Sequence, residues 1–553
     1  MSDTRSRWLT LAAMTLASSM ILVDQTAVPL ATPEAIEDLG GQISQAQWIM
    51  TANIIPLAAL MVLGGRLGDL IGMRRVFLAG ALIFGVSTAL AGFAQSMPWM
   101  VAARAAQGMG AALMMPTAVA IVSAVFPRER RGTALGILAG ASAFFAALGP
   151  VLGGLLASVD WRLVLLINVP LATITVAMTL SSTPKLAPAA GATRALDLPG
   201  VLTFAVGVGA IVFGLSEAQA EGWGAASVVI ALAAGVASLV LFVVVERLVT
   251  NPMIEFRLFK HLNYLAANIS QFLAGMVELG LGFLLPFYLL LVVGVSPEGA
   301  GLALIPSTIP IILAGPLAGR AFDRFGGQWP LVIGFLVLAA SGIALAVGVS
   351  DESVGGLIPG LVLQGFGLGI VLTVNDPTGL TAVPENDRGQ AAGVINTSEQ
   401  LGGAVGIAIL TAIEFGHYRD LLFEKLAEKG VSNPTQGQLT QWKEFILKAE
   451  EKGLIEAENE GESKVIRFGL EEVIDAHISA FELMFLVTAG IAMIGALVSL
   501  LLVRRGDPVR EKVFGRRSRW VFALTGGGPG LTKTPPPSGE GGGRGRRRPP
   551  GGG

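Results

Sequence analysis

Residues 65–72 read GRLGDLIG and residues 319–326 read GRAFDRFG, so one pattern, G-R-x-x-D-x-x-G, occurs twice in the chain. Each copy closes an apolar run of about twenty residues, the length that crosses ~30 Å of hydrocarbon as a helix. Two further pairs recur in the same order. Gln107-Gly108-Met109-Gly110 is answered by Gln364-Gly365-Phe366-Gly367, and Arg131-Gly132-Thr133-Ala134-Leu135-Gly136 by Arg388-Gly389-Gln390-Ala391-Ala392-Gly393. Three ordered matches mark an internal repeat, the way many membrane proteins with a central pathway are built.

The composition agrees with a membrane setting. Of 553 residues, 52% are hydrophobic and only 14% charged, against about 45–50% and 25% in soluble domains. The apolar runs are too long, and too little alternating, for barrel strands. We therefore expect an all-α integral membrane protein with about fourteen spans. The first run, beginning at Trp8, lacks a small-residue cleavage site and reads as span one rather than a signal peptide. The repeat joins spans two and ten, four and twelve, and five and thirteen. That offset of eight implies two six-helix bundles with two extra helices between them, near 198–216 and 225–245.

The expected domains are an N-terminal bundle over 1–182, a linker and extra helix pair over 183–250, and a C-terminal bundle over 251–505. An acidic, helical insertion is expected at 415–476, on the outer side, and a Gly/Pro/Arg-rich tail over 506–553 that cannot bury a core. Lys and Arg collect in alternate loops, at Arg74/Arg75, Arg128/Arg130/Arg131, Arg324 and Arg388, which places both termini in the cytoplasm. Arg162 is the exception. The three histidines, His261, His417 and His477, fall outside the apolar runs. There is no cysteine, so no disulfide framework or thiolate metal site is available.

Ionisable residues inside spans are costly and by default functional. Asp24 in span one and Arg104 in span four each lie about five residues from the outer end of their helices, at matching depth for a rise of 1.5 Å per residue. They are expected to pair. Glu278 stands at the repeat position of Asp24, because 65 − 24 and 319 − 278 both equal 41. The repeat position of Arg104 is Leu361, so Glu278 lacks the corresponding cation. Asp376 and Glu399 add acids in spans twelve and thirteen.

On these motifs the chain resembles the major facilitator superfamily, specifically its fourteen-span drug:proton antiporters, from about residue 8 to 503. GGRLGDLIGMRR is similar to the family's loop after span two. That resemblance makes Gly65, Asp69, Gly72, Arg74 and Arg75, with Asp323 by the repeat, conformational-switch positions forming a cytoplasmic charge latch. LVDQTAVPL resembles the D-x-T-x-x-N signature, with Asp24 and Thr26 retained and Pro29 for the Asn. Arg104 resembles the proton-coupling arginine of span four. WRLVLLINVP, residues 161–170, is similar to the start of span six in these exporters. AALGPVLGG, residues 146–154, resembles the antiporter motif of span five, keeping Gly149, Pro150, Gly153 and Gly154 but carrying Phe145 for the first glycine. A proline inside a membrane helix is tolerated where neighbours satisfy the carbonyl it frees, and the small-residue face is expected to be the surface along which the halves close.

The resemblance implies proton-driven efflux of lipophilic, cationic or multidrug-type compounds across the cell membrane by a monomer. Its expected partners are the small-molecule substrate, protons and membrane lipids, with no nucleic acid. No phosphate-binding loop, metal spacing or nucleophile elbow is visible, so the chain reads as a non-enzyme without a cofactor, powered by the proton gradient. A proton-coupled importer of the same fold and a transport-inactive scaffold or lipid-trafficking accessory remain as alternatives.

Overall fold

In hydrocarbon every backbone N–H and C=O must be satisfied within the protein, so long apolar runs become helices. The computed structural model describes residues 3–40, 46–127, 130–185, 197–249, 252–295, 297–428 and 464–504. Among them there are helices, turns and bends but no strand. The first half contains α1 (Asp3–Asp38), α2 (Ala46–Ile71), α3 (Met73–Gly92), α4 (Met97–Val125), α5 (Arg131–Ala157), α6 (Trp161–Leu166) and α7 (Asn168–Ser182). Then come α8 (Leu198–Glu221) and α9 (Ala226–Leu248). The second half contains α10 (Leu262–Leu291), α11 (Pro297–Ala303), α12 (Ile305–Phe325), α13 (Gln328–Gly348), α14 (Val354–Thr381), α15 (Arg388–Glu428) and α16 (Lys464–Leu502).

Thirteen spans among the described residues are long and apolar enough to cross a membrane, α6 and α7 counting as one. The 27-residue α5 supplies a further helix whose apolar part is Arg131–Ala146. The repeat is visible in the packing. α1 lies on α5 as α10 lies on α15, α3 on α4 as α13 on α14, and α2 on α4 as α12 on α14. Across the halves, α5 meets α12 and α2 meets α15, while α8 and α9 pair with each other and α8 leans on α2. The structure also changes the edges of the expected insertion. α15 runs on to Glu428 and α16 starts at Lys464, so both spans carry helical arms, whereas 429–463 and the 506–553 tail lie outside the described residues.

Association in lipid has no hydrophobic drive and relies on close backbone approach, which small residues permit. On α5 that face is Gly132 and Gly136. A Cβ on Gly136 would lie 2.6 Å from the carbonyl oxygen of Gly315, and one on Gly132 2.7 Å from that of Gly319. The glycines of AALGPVLGG do something else. Gly149 faces Thr26 and Val23, and a Cβ on Gly153 would sit 2.7 Å from the carbonyl of Ala27, so both pack on α1 of the same half. Gly154 has nothing within 4 Å. The expectation that this stripe forms the closing surface between halves is therefore corrected: on a helix, residues 132–140 and 149–153 occupy different depths and meet different neighbours.

The exception among the basic loops has a local cause. Arg162 pairs with Asp38 at 2.7 Å and lies 4.4 Å over the Trp161 ring, whose Nε1 donates to Asp38 at 3.3 Å. Arg162, with Trp161, holds the exposed Asp38 carboxyl below its ordinary range. A depressed carboxylate contributes its stabilisation above its unfolded pKa and loses it as pH falls. Trp161 fluorescence is accordingly expected to change on acidification below roughly pH 4, and Asp38→Asn should abolish that transition.

Candidate functional site

The two copies of G-R-x-x-D-x-x-G do the same three jobs. The last glycine makes the turn: Gly72 has φ +103° and Gly326 φ +78°, a region open to glycine and strained for other residues. The first glycine lets backbones meet across the halves, Gly65 against the Gly389 carbonyl and Gly319 against that of Gly132. The aspartate grips the amino-terminal turn of a helix in the opposite half. Asp69, 3% exposed, accepts from the backbone N–H of Gly389 at 2.9 Å and Gln390 at 2.8 Å. Asp323 accepts from those of Gly132 at 3.0 Å and Thr133 at 3.1 Å, and from the Thr133 hydroxyl at 2.8 Å.

Each contact is thus carboxylate to helix terminus, where unpaired N–H groups and the helix dipole favour an anion. Arg74 and Arg75, expected to share in a charge contact, do not touch Asp69. Arg74 donates to the Leu180 carbonyl at 2.7 Å and Arg75 to that of Ile71 at 3.5 Å, both within the first half. Nearby, Glu246 at the end of α9 accepts from the N–H of Met253 at 3.0 Å and Ile254 at 3.3 Å, fastening the linker beneath the extra helices.

Deeper in the first half, the expected pair is present. The Arg104 guanidinium donates from Nη1 to Asp24 at 2.6 Å, and both side chains are buried, at 0% and 1% exposure. Two partners were not anticipated. Gln107, one turn along α4, accepts from Arg104 at 2.6 Å and donates to Asp24 at 2.9 Å, and Asn168 donates to Asp24 at 3.4 Å. Arg104 Nε donates to the Ile49 carbonyl at 2.9 Å. The i, i+3 spacing of Arg104 and Gln107 was the available signal for the first. For Asn168 it was the Asn of WRLVLLINVP, which begins α7.

The second half builds a different site at the related place. Glu399 on α15 lies against α10, with Gln271 donating to its carboxylate and its backbone beside Gly275. Glu278 is close enough to interact electrostatically with Glu399, as is Asp376 on α14. All three acids are half-buried. Among the described residues none of them forms an ion pair with Lys, Arg or His, and Leu361, at the repeat position of Arg104, is fully buried. Two histidines depart from expectation and fall within membrane-length spans, His417 in Arg388–Leu421 and His477 in Ile474–Leu502; His477 is buried, bonded to Glu414 at 2.9 Å and stacked on Tyr418 at 3.8 Å. It lies inside the span because α16 begins upstream of the apolar run.

Comparison with known proteins gives a consistent picture. The family model described as Major Facilitator Superfamily matches residues 13–407. The tetracenomycin C resistance and export protein of Streptomyces glaucescens is 30% identical over 91% of this chain and 92% of its own. A puromycin resistance protein of Streptomyces alboniger is 34% identical over 74% of this chain and 82% of its own. Among solved structures, the human organic anion transporter MFSD10 aligns with a TM-score of 0.58 at 15% identity, covering 90% of this chain and 100% of that one. The proton:xylose symporter XylE aligns with 0.56 at 13%, covering 91% and 97%. At such identities the structures establish the fold.

The buried network makes a stability prediction. Asp24→Asn leaves the Arg104 charge uncompensated and should cost about 3–5 kcal/mol, whereas Asp24→Asn combined with Arg104→Gln should recover most of it. Thermal unfolding of the purified protein in detergent measures both.

Proposed function

Because the chain belongs to the major facilitator superfamily and is a multi-pass membrane transporter rather than an enzyme, we propose that it exports lipophilic, cationic or multidrug-type compounds in exchange for protons. Export is the activity named for the tetracenomycin relative, and resistance for the puromycin one. The observation that carries the coupling is the contrast between the two halves. Asp24 is neutralised by Arg104, while Glu278, Glu399 and Asp376 stand together without a cation in a medium where isolated negative charge is costly. A proton or an organic cation relieves that cost equally well. Only one of them is accommodated at a time, and competition of that kind is what antiport requires.

In this reading the basic end faces the cytoplasm with both termini. Asp69 and Asp323 then close that end, and the described state is outward-facing. Proton arrival at the acids and substrate release outside precede the breaking of both latches. The first half corresponds to 1–182 and the second to 251–505, with 183–250 holding the extra pair. The protein acts as a monomer in the cell membrane.

Inside-out vesicles loaded with a pH dye and energised to an acid lumen test this directly. Adding a lipophilic cation is expected to release protons from the lumen, and Asp24→Asn or Glu278→Gln should reduce that exchange at least tenfold, the scale of about 1.4 kcal/mol. Undiminished exchange in both variants overturns the coupling assignment, and no response to any lipophilic cation overturns export.

A further inference from the structure

Pro150 lies inside α5, and proline has no N–H to return to the carbonyl four residues earlier. That carbonyl belongs to Ala146. The Thr26 hydroxyl of α1 lies 2.8 Å from it and donates to it. Two other carbonyls, Leu22 at 3.1 Å and Val23 at 3.2 Å, are within reach of the same hydroxyl. Both belong to its own helix, where the α1 backbone N–H groups of Thr26 and Ala27 are their regular partners. Ala146 is the acceptor that lost its regular donor. Gly149 completes the arrangement, because a side chain there would run into Thr26. The glycine makes room for the threonine, and the proline next to it creates the acceptor.

Thr26 is two residues from Asp24, which places the two side chains about 200° apart around α1. Thr26 faces α5, and Asp24 faces Arg104 and Gln107 of α4 and Asn168 of α7. Within one turn, α1 is therefore held from opposite sides. We propose that Thr26 is a positioning residue for the Asp24 carboxylate: by binding the carbonyl that Pro150 frees, it seats α1 on α5 so that Asp24 reaches Arg104, Gln107 and Asn168. This rests on the reading of Asp24 as a coupling group. The bond ties the two motifs, D-x-T of α1 and G-P of α5, into one unit.

The test is a cycle in which the proline is also changed. Thr26→Val keeps the shape and removes the donor, Thr26→Ser keeps the donor, and Pro150→Ala restores an N–H for Ala146. The readout is labelling of Asp24 by dicyclohexylcarbodiimide, which modifies carboxyl groups in apolar surroundings and is hindered by the ion pair, located by peptide mass spectrometry. Thr26→Val is expected to raise labelling about tenfold, the effect of one interhelical hydrogen bond, and Thr26→Ser to match the parent. Thr26→Val in the Pro150→Ala background should stay within about twofold of Pro150→Ala alone. Parent-like labelling of Thr26→Val, or an undiminished effect in the Pro150→Ala background, overturns the proposal. If Thr26→Val is not recovered from membranes, recovery of its Pro150→Ala combination supports the proposal and loss of both overturns it. Proton exchange that survives Asp24→Asn removes the coupling reading alone, since the labelling cycle still reports the position of Asp24.

Discussion

A carboxylate pressed against the first turn of a helix from the opposite half is the interaction on which the junction between the two halves of this molecule depends. Asp69 holds α15 and Asp323 holds α5. Each contact joins carboxyl oxygens to N–H groups that the helix cannot satisfy internally. Anions at helix termini contribute typically 0.3–1 kcal/mol, and up to about 2 in partly buried sites. In the function proposed above, two such contacts would bias the conformational equilibrium without freezing it. The contacts also need the backbones to touch, and a Cβ at Gly65 or Gly319 would run into the opposite helix.

The interior of each half treats charge differently. In the first, Asp24 and Arg104 neutralise each other inside a cage of amide groups, and breaking that cage is expensive. In the second, three acids share one region with Gln271 as the neutral donor. The halves repeat one helical plan, yet the position that carries Arg104 in one carries Leu361 in the other. The two halves therefore differ, with an ion pair on one side and acids without a basic partner among the described residues on the other.

The helices, the repeat and the paired motifs that carry Asp69 and Asp323 were legible because they are encoded by run length and by motif spacing. The Asp24–Arg104 pair was legible through depth, since two charges buried at the same level seek each other. What stayed hidden was which neighbour a helix face meets. AALGPVLGG announced a close contact but not that its partner is α1. Arg74 and Arg75 of GGRLGDLIGMRR suggested a charge pair with Asp69, whereas they bond backbone carbonyls of the first half and the α15 backbone donates to Asp69. Asn168 and Gln107 are uncharged, so nothing in the hydropathy pattern set them apart. His417 and His477 were misplaced because their spans, Arg388–Leu421 and Ile474–Leu502, are longer than the apolar runs that mark them.

The extra pair α8 and α9 is an even insertion, and evenness has a topological consequence. A single additional helix would have turned the second half upside down, sending Asp323 to the opposite face from Asp69. With two, the chain returns to the side it left, Glu246 moors the returning strand of backbone, and α10 starts where it would have started without the insertion. Asp69 and Asp323 can then lie at the same end of their helices' paths across the membrane. Helices added between duplicated halves of this kind are constrained in number before they are constrained in sequence.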